Sequence, residues 1–377
     1  MDIKPVLLLA ANRGYALESS RGGLIRHFLG QGWRVVLATA DDEYSRALVG
    51  LGAELEPIRF SRGGFAPRVD WRAWRRLVSI MRVHTPTLVH FFHAKPVILG
   101  SLAARRELGD SVRVVNTITG LGHAFVHGGL TTRIAAAGYR LALPRADTTI
   151  FQNRDDLALF VARQWVSEGR ARLIVGSGID MTRFALCPAK PASQRLIVIM
   201  LGRLIWQKGV EEFASVARSV RQRHSRVRFV WAGEMDPEHP DAVPQDWLDE
   251  QTEFEYLGLV SDVPDRLRDA AIMLFPSYRE GVPRAVMEAA ACGVPVVGFD
   301  VPGVREAVRH EKTGFLVPDR DVDALTEAVE RLLANQPLRE RMSVAARRLA
   351  EAAFDIRSIQ SQHLALYREL GVDISTE

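Results

Sequence analysis

The sequence predicts an α/β protein of two domains, each built on a parallel sheet with helices on both faces. Three observations carry the prediction. Short apolar runs alternate with helical segments along most of the chain, the pattern of successive βα units. The 377 residues exceed what one hydrophobic core usually organises. A Pro/Ala/Lys/Ser-rich, apolar-poor stretch, Cys187–Gln194, interrupts the alternation midway and reads as a linker. The expected domains are residues 1–186 and 187–355, with residues 356–377 a C-terminal helix and tail packing at the domain junction.

In the first half, strands are expected at Pro5–Ala10, Arg34–Thr39, Glu54–Phe60, Thr87–Phe92, Arg113–Thr117 and Thr148–Gln152. Helices are expected at Gly22–Gln31, Glu43–Leu51, Trp71–His84, Pro96–Glu107, Thr131–Leu143 and Asp155–Gln164. After the first strand comes Asn12-Arg13-Gly14, then Arg21-Gly22-Gly23 opening a helix, and glycine in such strand-end loops lets backbone approach a ligand. They do not form a G-x-G-x-x-G fingerprint, and Gly120-Leu-Gly122 and Gly176-Ser-Gly178 lack its third small residue, so a nicotinamide dinucleotide is disfavoured. His90, His93 and Lys95 end one strand and His123 and His127 follow another. Histidines at strand ends are candidate ligand or proton-transfer groups and equally candidate structural donors.

The most basic stretch carries Arg59, Arg62, Arg68, Arg72, Arg75, Arg76 and Arg82 against Asp70. On a helical wheel Trp71, Trp74, Leu77, Val78 and Met81 share one side, and Arg72, Arg75, Arg76 and Arg82 the other. A helix on the sheet with a cationic solvent face explains this; so does a face held near anionic lipid or a lipid diphosphate. Nucleic acid is not expected, because no helix-turn-helix, RNA-recognition or zinc pattern accompanies the charge.

The second half restarts the series with strands at Arg195–Leu201, Val227–Ala232, Phe254–Leu257, Ile272–Pro276 and Pro295–Phe299. Gly202-Arg203 and Lys208-Gly209 leave its first strand, and a helix follows to about Arg223. The stretch FPSYREGVPRAVMEAAACGVPVVGFD reads as strand, loop, helix, turn, strand, with Pro283 opening the helix and Gly293 closing it. Glu280 lies in its loop and Glu288 in its helix, roughly 7–8 Å beyond Pro283 along the axis. Two carboxylates so spaced suit the ends of an extended polyhydroxylated ligand. The helix N-terminus between them suits phosphate. Arg203 and Lys208 beside it would clamp a diphosphate without a metal. Asp319, Asp321 and Asp323 have D-x-D spacing but precede the helix Val322–Leu333, where they read as caps.

Bulk properties are those of a soluble globular protein: 47% hydrophobic, 25% charged, net charge +4. Residues 1–172 hold 24 Lys+Arg and 14 Asp+Glu, for +10; residues 173–377 hold 25 and 31, for −6. The halves therefore suit different partners. The two cysteines, distant in sequence, fit a reducing compartment and show neither disulfide-framework nor zinc spacing. Leu7–Ala11 is too short for a signal peptide, and no run of ~18 apolar residues suggests a spanning helix.

The motifs so described resemble glycosyltransferase family 4, a retaining family with the GT-B fold of two Rossmann-like domains whose parallel sheets face across a cleft. The resemblance covers nearly the whole chain and looks most like bacterial members that build cell-surface glycans. Gly202-Arg203 with Lys208-Gly209 resembles the family's diphosphate-binding motif, and Glu280 and Glu288 its E-x7-E motif. Gly303, Arg305 and Glu306, then Thr313–Pro318, resemble the segment that follows. The resemblance implies that Arg203, Lys208 and Glu280 are catalytic. Arg203 and Lys208 would neutralise the donor diphosphate; Glu280 with the backbone of Gly281 and Val282 would hold sugar hydroxyls; Glu288 would hold the ribose. Gly202 and Gly14 join the donor side, while His123, His93 and Gly22 face the acceptor. Many members carry a His two or three residues after the strand ending near Asn116, where this chain has Thr119.

The expected activity is transfer of a hexose or N-acetylhexosamine from a nucleoside-diphosphate sugar, UDP by resemblance, to a sugar or polyprenyl-diphosphate-linked acceptor. No cofactor or metal is expected. The expected setting is the cytoplasm, peripheral on the inner membrane face through helix 71–84. The alternatives are an epimerase on the same fold and a non-catalytic nucleotide- or glycan-binding subunit.

Overall fold

A computed structural model describes residues 4–61, 66–121, 129–187 and 196–374. Chain contacts divide it into two units, Met1–Val175 with Arg357–Glu377, and Gly176–Ile356.

The first unit holds a seven-stranded sheet in the order β3-β2-β1-β4-β5-β6-β7, every neighbour parallel. Its strands are β1 (Val6–Ala10), β2 (Arg34–Thr39), β3 (Glu54–Pro57), β4 (Leu88–Phe92), β5 (Arg113–Ile118), β6 (Thr148–Phe151) and β7 (Ala171–Leu173). The central strands β1 and β4 are buried along their whole length, which explains their unbroken apolar runs. The second unit holds a six-stranded sheet, β10-β9-β8-β11-β12-β13, also fully parallel. Its strands are β8 (Ile197–Leu201), β9 (Arg228–Ala232), β10 (Glu255–Tyr256), β11 (Ile272–Phe275), β12 (Val296–Phe299) and β13 (Gly314–Val317). Both sheets are doubly wound, with the order reversing beside their first strand: between β1 and β4, and between β8 and β11. Such reversals open the crevice where ligands bind.

Four expectations are corrected or made more specific. First, the division falls at Val175/Gly176, before the expected 186/187 boundary. Residues 176–187 are fastened to the second unit: Ile179 pairs with the Phe354–Ile356 backbone, at 2.7 and 3.0 Å, and Arg347 donates to the Phe184 carbonyl at 2.7 Å. The Cys187 N–H likewise donates to the Cys292 carbonyl at 2.9 Å, so the two distant cysteines meet, both as thiols. Most of the expected linker lies outside the described residues. Second, the expected C-terminal helix is present, and residues 357–377 group with the first unit. The helix Ile356–Glu369 buries Ile359, Leu366 and Tyr367 in a core with Phe28 and Trp33.

Third, the first helix runs Gly14–Gly30, so it starts ahead of the expected Gly22 and Arg21-Gly22-Gly23 lies inside it. Gly23 is where the C-terminal helix packs: a Cβ there would stand 1.7 Å from the Gln360 side-chain nitrogen. Fourth, the arginine-rich helix Pro67–His84 buries Leu77, Val78, Ile80 and Met81 but leaves Trp71 56% exposed. Trp71 lies under the Arg75 guanidinium, 4.9 Å from its ring centre. The helix Gln336–Ala353 and the strand β13 were not among the expected elements.

Candidate active site

Two loops leave the strands that flank the reversal in the second sheet. Residues 202–209 follow β8 and residues 276–283 follow β11, so parallel strand order brings the loop carrying Arg203 and Lys208 alongside the loop carrying Glu280. The loops are bound together through backbone. Tyr278 N–H donates to the Gln207 carbonyl at 3.2 Å, while Glu280 N–H ties the second loop to the Pro302 carbonyl, beyond β12, at 3.1 Å. Gly209 adopts φ +74, and a Cβ there would be 2.1 Å from the Pro276 carbonyl oxygen. Glycine is therefore required twice over, by conformation and by space.

Lys208 forms an ion pair with Glu280, the side chains 18% and 13% exposed. The same Glu280 oxygen, Oε1, accepts from the Ser277 hydroxyl at 2.6 Å. Tyr278 braces the loop from below, donating to Glu212 at 2.6 Å, stacked on Phe299 and covered by the Arg320 guanidinium. Arg203 pairs with Asp236 at 3.2 Å. Gly202 is held at both ends: its N–H donates to Ala232, and its carbonyl accepts from the Trp231 indole, each at 2.9 Å.

Val282 is buried and Gly281 lies against Gly303. The helix Arg284–Cys292 then begins, with Pro283 as its N-cap, and Val286 N–H donates to the Pro283 carbonyl at 3.1 Å. Glu288 is not a surface acid. It is 8% exposed, and its carboxylate lies 2.9 Å from Arg284 one turn earlier. Burial pushes its carboxyl above the ordinary range, against the opposing pull of Arg284 and then Arg183. The two glutamates thus sit in separate pairs, and no metal-ligating cluster occurs among the described residues. Sequence reasoning missed Asp236, Ser277 and Arg284. The i,i+4 spacing of Arg284 and Glu288 was a usable signal; Asp236 had none.

The first unit places the other candidates. Gly14 opens its helix with its N–H given to Asp42 at 2.8 Å, and a Cβ would meet that carboxylate at 2.2 Å. Its close approach is therefore to Asp42. Gly22 lies within the helix and not at its opening. His93 ends β4 at φ +69, its Nδ1 buried without a hydrogen-bond partner. Burial lowers its pKa to about 4, with Arg21 adding to the shift. His90 is structural, held between Tyr367 at 2.6 Å and Thr117 at 2.7 Å. Lys95 is paired with Asp70. His123 and His127 lie outside the described residues.

A doubly wound unit with cations and carboxylates at its reversal point defines a ligand-binding α/β protein. Comparison with known proteins narrows it. Residues 195–335 match the model for "Glycosyl transferases group 1", and residues 5–153 that for "Glycosyl transferase 4-like". The chain belongs to these family-4-type glycosyltransferases and is a sugar-transferring enzyme. It is 27% identical over 351 residues to the N,N'-diacetylbacillosaminyl-diphospho-undecaprenol alpha-1,3-N-acetylgalactosaminyltransferase of Campylobacter jejuni, covering 88% of this chain and 90% of that one. Its fold is similar to sucrose-phosphate synthase of Thermosynechococcus elongatus (TM-score 0.79, 20% identity, 97% and 99% covered). It is also similar to Anabaena HepE solved with UDP (TM-score 0.77, 17% identity, 97% and 100% covered). The transferase reading therefore stands above the epimerase and the non-catalytic subunit.

Proposed function

We propose that this chain is a retaining, metal-independent glycosyltransferase that moves a hexose or N-acetylhexosamine from a UDP-sugar to a polyprenyl-diphosphate-linked or saccharide acceptor in bacterial surface-glycan assembly. The observation that carries this reading is the pairing of Lys208 with Glu280 at the reversal beside β8 and β11, with Arg203 on the same strand exit as Lys208 and held by Asp236. As the bond from the anomeric carbon to phosphate breaks, the sugar gains oxocarbenium character and negative charge builds on the β-phosphate. Arg203, Lys208 and the N-terminus of helix Arg284–Cys292 are suited to that charge, so they stabilise the transition state more than the bound donor. The second oxygen of Glu280 is available to a sugar hydroxyl, because Lys208 and Ser277 both use Oε1. The pairing of Glu288 with Arg284 directs ribose recognition to both members of that pair. Among the described residues Asp236, Glu280 and Glu288 are each paired with a cation, and the reaction proposed is front-face departure and attack with retention. The C. jejuni relative, named for a diphospho-undecaprenol acceptor, supports the acceptor class, and HepE, solved with UDP, supports the base.

No helix among the described residues is long and apolar enough to cross a membrane. A lipid-linked acceptor is reached from the surface, and helix Pro67–His84 supplies a contact. Arg68, Arg72 and Arg75 are exposed around the exposed Trp71, an arrangement suited to anionic headgroups and the interface below them. Arg76 and Arg82 are already paired, with Glu56 and Glu107.

The test is incubation with UDP-N-acetylhexosamines and UDP-hexoses, with a polyprenyl-diphosphate sugar as acceptor, and NMR of the product anomer. Product of inverted configuration would overturn retention. Transfer only from a donor with another base would overturn the UDP assignment. Co-sedimentation with phosphatidylglycerol vesicles should fall when Arg68, Arg72 and Arg75 become Glu; undiminished binding rejects the membrane contact.

A further inference from the structure

We infer that Asp236 is a positioning residue for Arg203, fixing the guanidinium so that its remaining donors meet the donor diphosphate. The inference rests on the reading of Arg203 as a diphosphate ligand. The pair is asymmetric: the Asp236 side chain is 5% exposed and that of Arg203 41%. The acid is the fixed member, and the base keeps an open side. A guanidinium has five N–H donors in a rigid fork, so engaging one with Asp236 leaves others for phosphate oxygens.

Asp236 is itself held by backbone. Leu204 N–H donates to the Glu234 carbonyl at 2.9 Å and Trp206 N–H to Asp241 at 2.9 Å, binding the loop after β9 along the loop after β8. Leu204 and Met235, and Ile205 and Ala242, form bridges between the same two loops. The Asp236 carbonyl accepts from His239 N–H at 2.9 Å, which closes a turn under the carboxylate. Trp206 and Trp247 pack edge to face beside it, ring centres 5.0 Å apart. Asp236 therefore reaches Arg203 from a loop registered to the backbone that carries Arg203. A long side chain held in this way loses less freedom when it meets its ligand.

The opposite role is also physically available. A carboxylate on Arg203 competes with the diphosphate, and its removal would then tighten donor binding. The two roles differ in sign, which makes the experiment decisive. Dissociation constants for UDP, GDP and ADP are measured by calorimetry on the full chain, and the tightest of the three is the probe. The variants are Asp236→Asn, Arg203→Ala and the double substitution.

Asp236→Asn should weaken the probe about three- to tenfold, the cost of immobilising one freed side chain. The double variant should bind no more weakly than Arg203→Ala alone, because Asp236 acts only through Arg203. Asp236→Glu, which keeps the charge, should recover part of the loss and serves if Asp236→Asn fails to fold. Unchanged or tighter binding by Asp236→Asn overturns the positioning role, as does a double variant whose loss is the product of the two single losses. If Arg203→Ala binds as wild type does, the diphosphate reading fails and the positioning role with it. Normal loss in Arg203→Ala with none in Asp236→Asn or Asp236→Glu sinks the positioning role alone.

Discussion

Replacing Lys208 by Met separates what its charge does for stability from what it does for turnover. Its ammonium is paired with Glu280 in a site where the two side chains are 18% and 13% exposed. Breaking a fully buried pair costs about 3–5 kcal/mol, because the surviving charge is stranded. Here Glu280 keeps the Ser277 hydroxyl at 2.6 Å, so the expected cost is lower, about 1–3 kcal/mol. That lowers the melting temperature by ~2–4 °C per kcal/mol. The rate effect is separate: loss of one preorganised charge-stabilising donor reduces turnover about 10²–10³-fold. Adding Glu280→Gln to Lys208→Met removes the stranded charge. The double variant should recover melting temperature, and its turnover should stay low. The assay is nucleoside-diphosphate release from the donor in the presence of the lipid-linked acceptor, alongside thermal melting of each variant. Turnover of Lys208→Met within about threefold of wild type, well under the expected loss, would refute the charge argument. So would recovery of turnover in the double variant.

Gly209→Ala forces an L side chain into φ +74 with its Cβ 2.1 Å from the Pro276 carbonyl oxygen. A loss of about 1–3 kcal/mol is expected by denaturant titration, together with weaker nucleotide binding; unchanged values would mean that the two loops are not tightly coupled. Chelation with EDTA should leave turnover unchanged if protein cations alone hold the diphosphate, and loss restored by Mg²⁺ or Mn²⁺ would show the opposite. Burial lowers the pKa of His363 to about 3, with Arg21 adding to the shift and the Ile359 carbonyl opposing it. The unfolded chain therefore binds a proton below its ordinary 6.5 while the native state does not, and stability falls as pH drops from 6.5 toward 3. At pH 5 this amounts to roughly 2 kcal/mol. The difference in unfolding free energy between wild type and His363→Gln should shrink over that interval; a constant difference refutes the assignment.

The alternation of β1 through β6 with helices was legible because strand and helix periodicities are local properties of neighbouring residues. The Gly202–Gly209 and Glu280–Glu288 patterns were legible for the same reason, since each lies on one strand exit. The helix start was placed too late, at Gly22, because paired glycines look like a helix boundary until the packing partner is known, and Gln360, against which Gly23 packs, lies far along the chain. The depth of Glu288, the meeting of Cys187 with Cys292, and the return of residues 357–377 to the first unit were likewise set by packing. The sequence alone determined which charged groups stand at the ends of the parallel strands. Which of them pair was decided by tertiary structure: strand order brings Lys208 to Glu280 and the loop after β9 brings Asp236 to Arg203. A long side chain's partner depends on which loops converge in space, and local periodicity carries no information about that convergence.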